Sequence, residues 1–277
     1  MHPRCLLLLL HYTTRAVPTM TTTAESTTTK RQKWFPLESN PSLLNSYISK
    51  LGFDTSFFQF TDVFSTEDWA LAMIPPGTVA VVFLYPLTPV QEEFRAKERE
   101  RYELKLSKAQ EEDDAAAEPP VWFIKQRIGN ACGTIGILHA LANIPEPLKA
   151  AAIPPDSWLG NFFDTCPAQL SPTTKAELLE NNEEIERKHD EATSDSRNQT
   201  NRGALEDQLV THFVALTHVN GNIYELDGRK ESPIPHGSTS QETFLKDSAK
   251  VVQKFMDRDP GEMRFTILAL APAKNLV

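Results

Sequence analysis

The chain has 277 residues, enough for one large domain or two small ones with a real buried core. Its 37 acidic and 28 basic side chains leave a formal charge of −9, which disfavours a nucleic-acid binder built on phosphate neutralisation and suits a basic partner. Cys5, Cys132 and Cys166 cannot form a disulfide framework, and no apolar run, the leucines at 6–10 included, is long enough to span a membrane. An acidic, cysteine-poor chain is expected in a reducing compartment: the cytoplasm, with the nucleus also open to it.

Residues 1–33 read as a disordered leader. Arg4 and the leucines after it hint at a signal peptide, but the apolar core is short and no small-residue cleavage site follows. The Thr-rich, acid-poor stretch leaves an organellar signal as a weaker option, and Met20 offers a second start. From Trp34 the composition changes. Asn40 and Pro41 predict a helix N-cap and first residue, with Leu43, Leu44, Tyr47, Ile48 and Leu51 at helical spacing behind them. Residues 79–85 (VAVVFLY), bounded by prolines, predict a buried strand. The charge-dense stretch 92–117 reads as a solvated helix and linker. A second strand is expected at 121–125 and a helix at 131–142. Residues 171–205 are polar, helical at first and irregular later. Strands at 212–219 and 223–226, a helix at 243–256 and a strand at 265–270 complete the order.

The stretch from Gln126 to His139 (QRIGNACGTIGILH) carries the sharpest chemical signal. A strand ends near Gln126, a short turn follows, and Asn130 is placed to cap the next helix. Cys132 then falls in the first turn, where unpaired N–H groups and partial positive charge lower a thiol's pKa. A lone cysteine is more often a small core residue; the strand–turn–helix setting and the upstream amide favour a nucleophile here.

A nucleophilic thiol needs a base. Asn220-Gly221 sits between two apolar runs, the strongest short hairpin signal. With those two residues as the turn, Val219 faces Asn222, and Asp227 falls opposite Val214 on the face that carries His212. The two are then diagonal neighbours roughly 7 Å apart at the backbone, within reach of an Asp–His hydrogen bond. His139 and His218 are expected in structural or surface roles, His189 and His236 in loop-like sequence, and Cys166 packed without a base nearby. No Cys/His cluster suggests a metal, and no metal or organic cofactor is expected.

These residues resemble the ubiquitin carboxyl-terminal hydrolases, papain-like thiol proteases. The blocks that carry the resemblance are Trp34-Phe-Pro-Leu-Glu38, Leu71-Ala-Met-Ile-Pro75, residues 126–143 and 212–229, His236-Gly237 and Leu245-Lys-Asp-Ser-Ala249. The match runs from about Trp34 to about Ala273, so residues 34–277 are expected to form one catalytic domain of the short, single-domain branch. The resemblance implies an α/β, papain-like fold: a central antiparallel sheet flanked by helices, a knotted backbone, and a crossover loop at about 171–205. It implies Cys132 as nucleophile, His212 as general base and acid, Asp227 orienting the histidine, and Gln126 in the oxyanion hole. It also implies that Trp34, Pro36, Leu37, Glu38 and Asn40 bind the substrate.

The implied partner is ubiquitin, with a ubiquitin-like protein as a second candidate. No nucleic acid or membrane is implied, and a monomer is expected. The implied reaction is hydrolysis of amide, ester or thioester bonds at ubiquitin's C-terminal glycine, releasing small adducts or short peptides. The rival readings are a papain-like amidase acting on a small substrate and a non-catalytic ubiquitin-binding protein.

Overall fold

A computed structural model of the chain describes residues 33–109, 121–199 and 210–273. All but residue 33 of the expected leader, and residues 200–205 of the expected crossover loop, lie outside the described residues. In the first helix, α1 (Pro41–Lys50), Asn40 accepts from Leu43 N–H at 3.1 Å, and Pro41 takes the first turn, where a missing N–H costs nothing. Its buried stripe is Leu43, Leu44, Tyr47 and Ile48, the set that the spacing selects. Then come β1 (Phe58–Asp62), a short α2 (Asp68–Leu71), β2 (Ala80–Pro86) and the long α3 (Pro89–Ala109). Five helices follow: α4 (Cys132–Ala142), α5 (Glu146–Ala152), α6 (Trp158–Thr165), α7 (Pro172–Glu180) and α8 (Glu183–Thr193). The chain continues through β3 (Thr211–Val219), β4 (Asn222–Leu226), β5 (Ile234–Ser238), α9 (Phe244–Asp257) and β6 (Thr266–Pro272).

The strands form one sheet in the order β1-β6-β2-β3-β4-β5, antiparallel at every pairing. Successive side chains of a strand point to opposite faces, and β2 shows why its sequence is apolar throughout. Ala80 and Val82 belong to the core shared with α1, α4 and α6, whereas Val81, Phe83 and Tyr85 belong to the core shared with α9. Phe83 and Tyr85 both meet Phe255 of α9 edge-on, with ring centroids 4.9 and 5.1 Å away. Among the described residues no helix is long and apolar enough to cross a membrane.

Two expectations are corrected. Residues 121–125 are not a strand. The Trp122 N–H donates to Asn143 Oδ1 at 2.9 Å and the Ile124 N–H to His139 Nε2 at 3.1 Å, so side chains of α4 and of its C-terminal cap satisfy the backbone groups a sheet ladder would have used. Nor are residues 171–205 mainly loop: they hold α7 and α8, capped by the side chains of Ser171 and Asn182. The buried stripe of α8 is Ile185, His189, Ala192 and Thr193, half of it polar by composition, which hid a regular 3.6-residue period. The knot depends on the path of residues 110–120 and 200–209, outside the described residues. The edge strands β1 and β5 have no counterpart in the sequence reading. Both are five residues long, and β5 carries a Pro and a Gly, so neither has an apolar run to announce it.

Candidate active site

Cys132 is the first residue of α4, and α4 packs against β3. The turn before it differs from expectation. Asn130 is not the cap; it sits in the left-handed region at φ 61°, and Ala131 occupies the cap position with no side-chain acceptor. Asparagine tolerates that conformation better than most residues. The first N–H groups of α4 are therefore left without a side-chain cap beside the thiol.

The β3–β4 hairpin forms as its turn dictates. Asn220 and Gly221 both have positive φ, 48° and 77°, the demand of a tight two-residue turn. Val219 pairs with Asn222, Leu216 with Glu225 and Ala215 with Leu226. One step further on, His212 Nε2–H donates to Asp227 Oδ1 at 2.6 Å, with both side chains 0% exposed. Asp227 Oδ1 also accepts the Arg229 N–H at 2.9 Å. Tyr85, the cross-strand partner of His212, meets the imidazole edge-on with ring centroids 5.9 Å apart.

The electrostatics follow from this packing. Burial would raise the Asp227 pKa, but the His212 charge and hydrogen bond, then Arg95 and Lys230, hold it well below the usual carboxylate range. Burial would lower that of His212, yet Asp227 and the neighbouring Cys132 outweigh it and the pKa rises. Burial also opposes ionisation of Cys132; His212, a backbone hydrogen bond from Phe213 and the Arg229 charge overcome it, and the thiol falls below its ordinary value. The other ring nitrogen, His212 Nδ1, forms no hydrogen bond among the described residues, and the thiol and imidazole act on each other as neighbouring groups. The arrangement favours a thiolate–imidazolium pair.

Gln126 lies on the turn entering α4. Its backbone N–H donates to Gly228 O at 2.8 Å and its Nε2 to Ile128 O at 3.1 Å, while Oε1 is buried with no hydrogen-bond partner among the described residues. A side chain at Gly228 would come within 2.7 Å of Ile135 Cγ2 and 3.0 Å of the Gln126 backbone, so only glycine lets the segment after Asp227 close on this turn. An open cleft lined by Lys125, Gln126, Arg127, Thr173 and Arg229 reaches Gln126, whereas Cys132, 3% exposed, does not line it.

The segment expected to contact the substrate is partly internal. Trp34, Pro36 and Leu37 are buried, and Trp34 packs at a tilt against His189 with ring centroids 4.4 Å apart. Asn40 is committed to capping α1, and the half-buried Glu38 donates its N–H to Asn198 Oδ1 at 2.7 Å. His189, expected in a loop, is buried on α8 between Thr134 Oγ1 and Phe35 O. Burial drives the His139 pKa down to about 3, leaving a neutral structural ring. Cys166 is packed as expected. Among the described residues no group of three or more His, Cys, Asp and Glu could hold a metal ion.

Arg95 has no place in the sequence reading. Its NH2 lies 3.4 Å from Asp227 Oδ2, and its side chain is 10% exposed. A signal existed: Gln91, Phe94, Arg95 and Glu98 recur at helical spacing and form the less exposed side of α3. Their polarity masked it.

With this geometry established, the chain can be set beside known proteins. The model of the family described as "Ubiquitin carboxyl-terminal hydrolase, family 1" matches residues 34–257. The sequence is 38% identical over 252 residues to ubiquitin carboxyl-terminal hydrolase 3 of Arabidopsis thaliana, covering 91% of this chain and 99% of that one. It is 38% identical over 238 residues to human ubiquitin carboxyl-terminal hydrolase isozyme L1, covering 86% and 98%. In fold it is similar to the Trichinella spiralis UCH37 catalytic domain, solved bound to ubiquitin vinyl methyl ester. The TM-score is 0.66 at 22% identity, covering 87% of this chain and 96% of that one.

Proposed function

The chain belongs to family 1 of the ubiquitin carboxyl-terminal hydrolases, and from that premise we propose how its own residues perform cysteine-type hydrolysis at the C-terminus of ubiquitin. The observation that carries the assignment is the buried 2.6 Å His212–Asp227 bond beside a thiol of lowered pKa at the start of a helix. The Cys132 thiolate attacks the carbonyl carbon of ubiquitin's terminal glycine. The carbonyl π electrons move onto oxygen, and the free amide hydrogen of Gln126 and a backbone N–H at the start of α4 stabilise the oxyanion. The tetrahedral species collapses as the C–N bond breaks, and His212 gives its Nδ1 proton to the departing amine. Water, deprotonated by the now neutral His212, attacks the thioester; the C–S bond breaks and the thiolate is restored. Asp227 holds the ring through Nε2–H and stabilises its charged form.

Small amines, thiols and short unfolded peptides are the proposed leaving groups, ubiquitin or a ubiquitin-like protein the acyl side, and a cytoplasmic monomer the working form. The formal charge of −9 suits a basic partner. The test compares a ubiquitin C-terminal amide reporter with a short peptide amide, in the wild type and in Cys132→Ala. The reading expects turnover of the ubiquitin reporter alone, loss of at least ~10³-fold in Cys132→Ala, and retained ubiquitin binding by that variant. Equal turnover of both reporters would indicate an amidase for small substrates; binding without turnover would indicate a non-catalytic scaffold.

A further inference from the structure

Asp227 has two carboxylate oxygens, and only one of them, Oδ1, takes part in hydrogen bonds to His212 and Arg229. Oδ2 is buried, forms no hydrogen bond among the described residues, and faces Arg95 NH2 at 3.4 Å. The guanidinium is braced from its own helix, NH1 donating to Glu92 Oε1 at 3.2 Å. The start of α3 is itself fixed to α9: the fully buried Gln91 donates from Nε2 to Phe255 O at 2.7 Å and accepts from Arg258 at 3.3 Å. Arg258 also lies 3.6 Å over the Phe94 ring. Lys97, Arg99 and Arg101 of the same helix are exposed, whereas Arg95 is delivered to the back of the carboxylate.

We propose that Arg95 is the positioning residue of the Asp227–His212 pair: it holds the second oxygen so that the carboxylate stays in the orientation that aims His212 at Cys132. The last torsion of an aspartate is broad and roughly two-fold. A carboxylate bonded through one oxygen alone could swing and carry the imidazole with it. A guanidinium cannot lose its charge in the working pH range, so the anchor persists while His212 takes up and gives away protons. The proposal rests on Cys132 and His212 acting as nucleophile and base. If the ion pair only tethered α3 to the domain, its loss would lower melting temperature and leave turnover alone.

The experiment uses the full chain as wild type, Arg95→Gln, Arg95→Lys and Lys97→Gln. Lys97 is an exposed residue of α3, 58% exposed, and serves as the surface control. Steady-state hydrolysis of the ubiquitin reporter is paired with the rate at which iodoacetamide alkylates the peptide containing Cys132. Misplacement of a reacting group by 1 Å costs ~10²-fold, so a smaller swing should lower kcat of Arg95→Gln about tenfold. KM should stay within about twofold, alkylation should slow in parallel, and Arg95→Lys should fall between wild type and Gln, because it keeps the charge but not the fork. Lys97→Gln should match wild type. A kcat for Arg95→Gln within twofold of wild type, an effect confined to KM, or a lysine variant no better than glutamine would overturn the proposal. Should Arg95→Gln fail to fold, Arg95→Lys decides: lower kcat at unchanged KM supports the role, wild-type kcat refutes it. A wild type that does not hydrolyse the reporter would remove the hydrolase reading itself, and alkylation of Cys132 would still report how the ring and thiol are held.

Discussion

At the scale of single residues, the site opposes burial with charge pairing. Asp227 is ionised inside the protein because His212 and Arg95 face it, and that sets the sign of its effect on stability. A carboxylate whose folded pKa lies below the ordinary 3.8 contributes stability that is present above that value and lost as pH falls through the folded pKa. Wild-type melting temperature should therefore drop steeply on acidification below about pH 4, and Asp227→Asn should flatten that limb of a melting-temperature profile. His212 has the opposite sign. Its raised pKa contributes stability below 6.5 that fades as pH rises through the folded value. For Gln126 the expected effect lies in the transition state: Gln126→Ala should lower kcat by about 10²–10³-fold with KM nearly unchanged, the usual cost of one oxyanion donor. Steady-state kinetics on the ubiquitin reporter would check this, and an effect confined to KM would place Gln126 in substrate binding.

At the scale of elements, the hairpin is the piece that brings base and carboxylate together, and it does so by counting. One residue inserted between Asn220 and Gly221 would shift β4 against β3 and turn alternate side chains to the other face. Asp227 would then leave His212, and activity should fall to that of a His212→Ala variant while the far-UV spectrum stays near native; substantial retained turnover would show that the pairing re-forms by a bulge. The same element shows why part of the site could be read from sequence. Asn220-Gly221, the alternation around it and the apolar spacing of α4 act over a few residues, and such rules survive folding. Distant partners decided the rest. Residues 121–125 look like a strand, but Asn143 and His139 claim their amides. Trp34 carries no local sign of the ring of His189 on α8 that it packs against. Arg95 looks solvated until α9 fixes the turn of α3 on which it sits.

Across the whole molecule, the site draws on segments far apart in the chain: Arg95, Gln126 with Cys132, and His212 with Asp227. The sheet beneath them is equally non-local. β6 (Thr266–Pro272) lies between β1 and β2, two strands made some two hundred residues earlier. Ending the chain after Arg264 should thus do more than trim an edge. It would leave β1 without its sheet neighbour and bare one side of the apolar β2, and the product should be insoluble, as a pelleting assay would register. In the living chain the same interval arises at every round of synthesis. Until the ribosome has released residues 266–272, β2 offers an open hydrogen-bonding edge to any extended peptide nearby. The architecture therefore leaves the sheet open along β2 until β6 has been made, and it ties the appearance of an active thiol to the emergence of that strand.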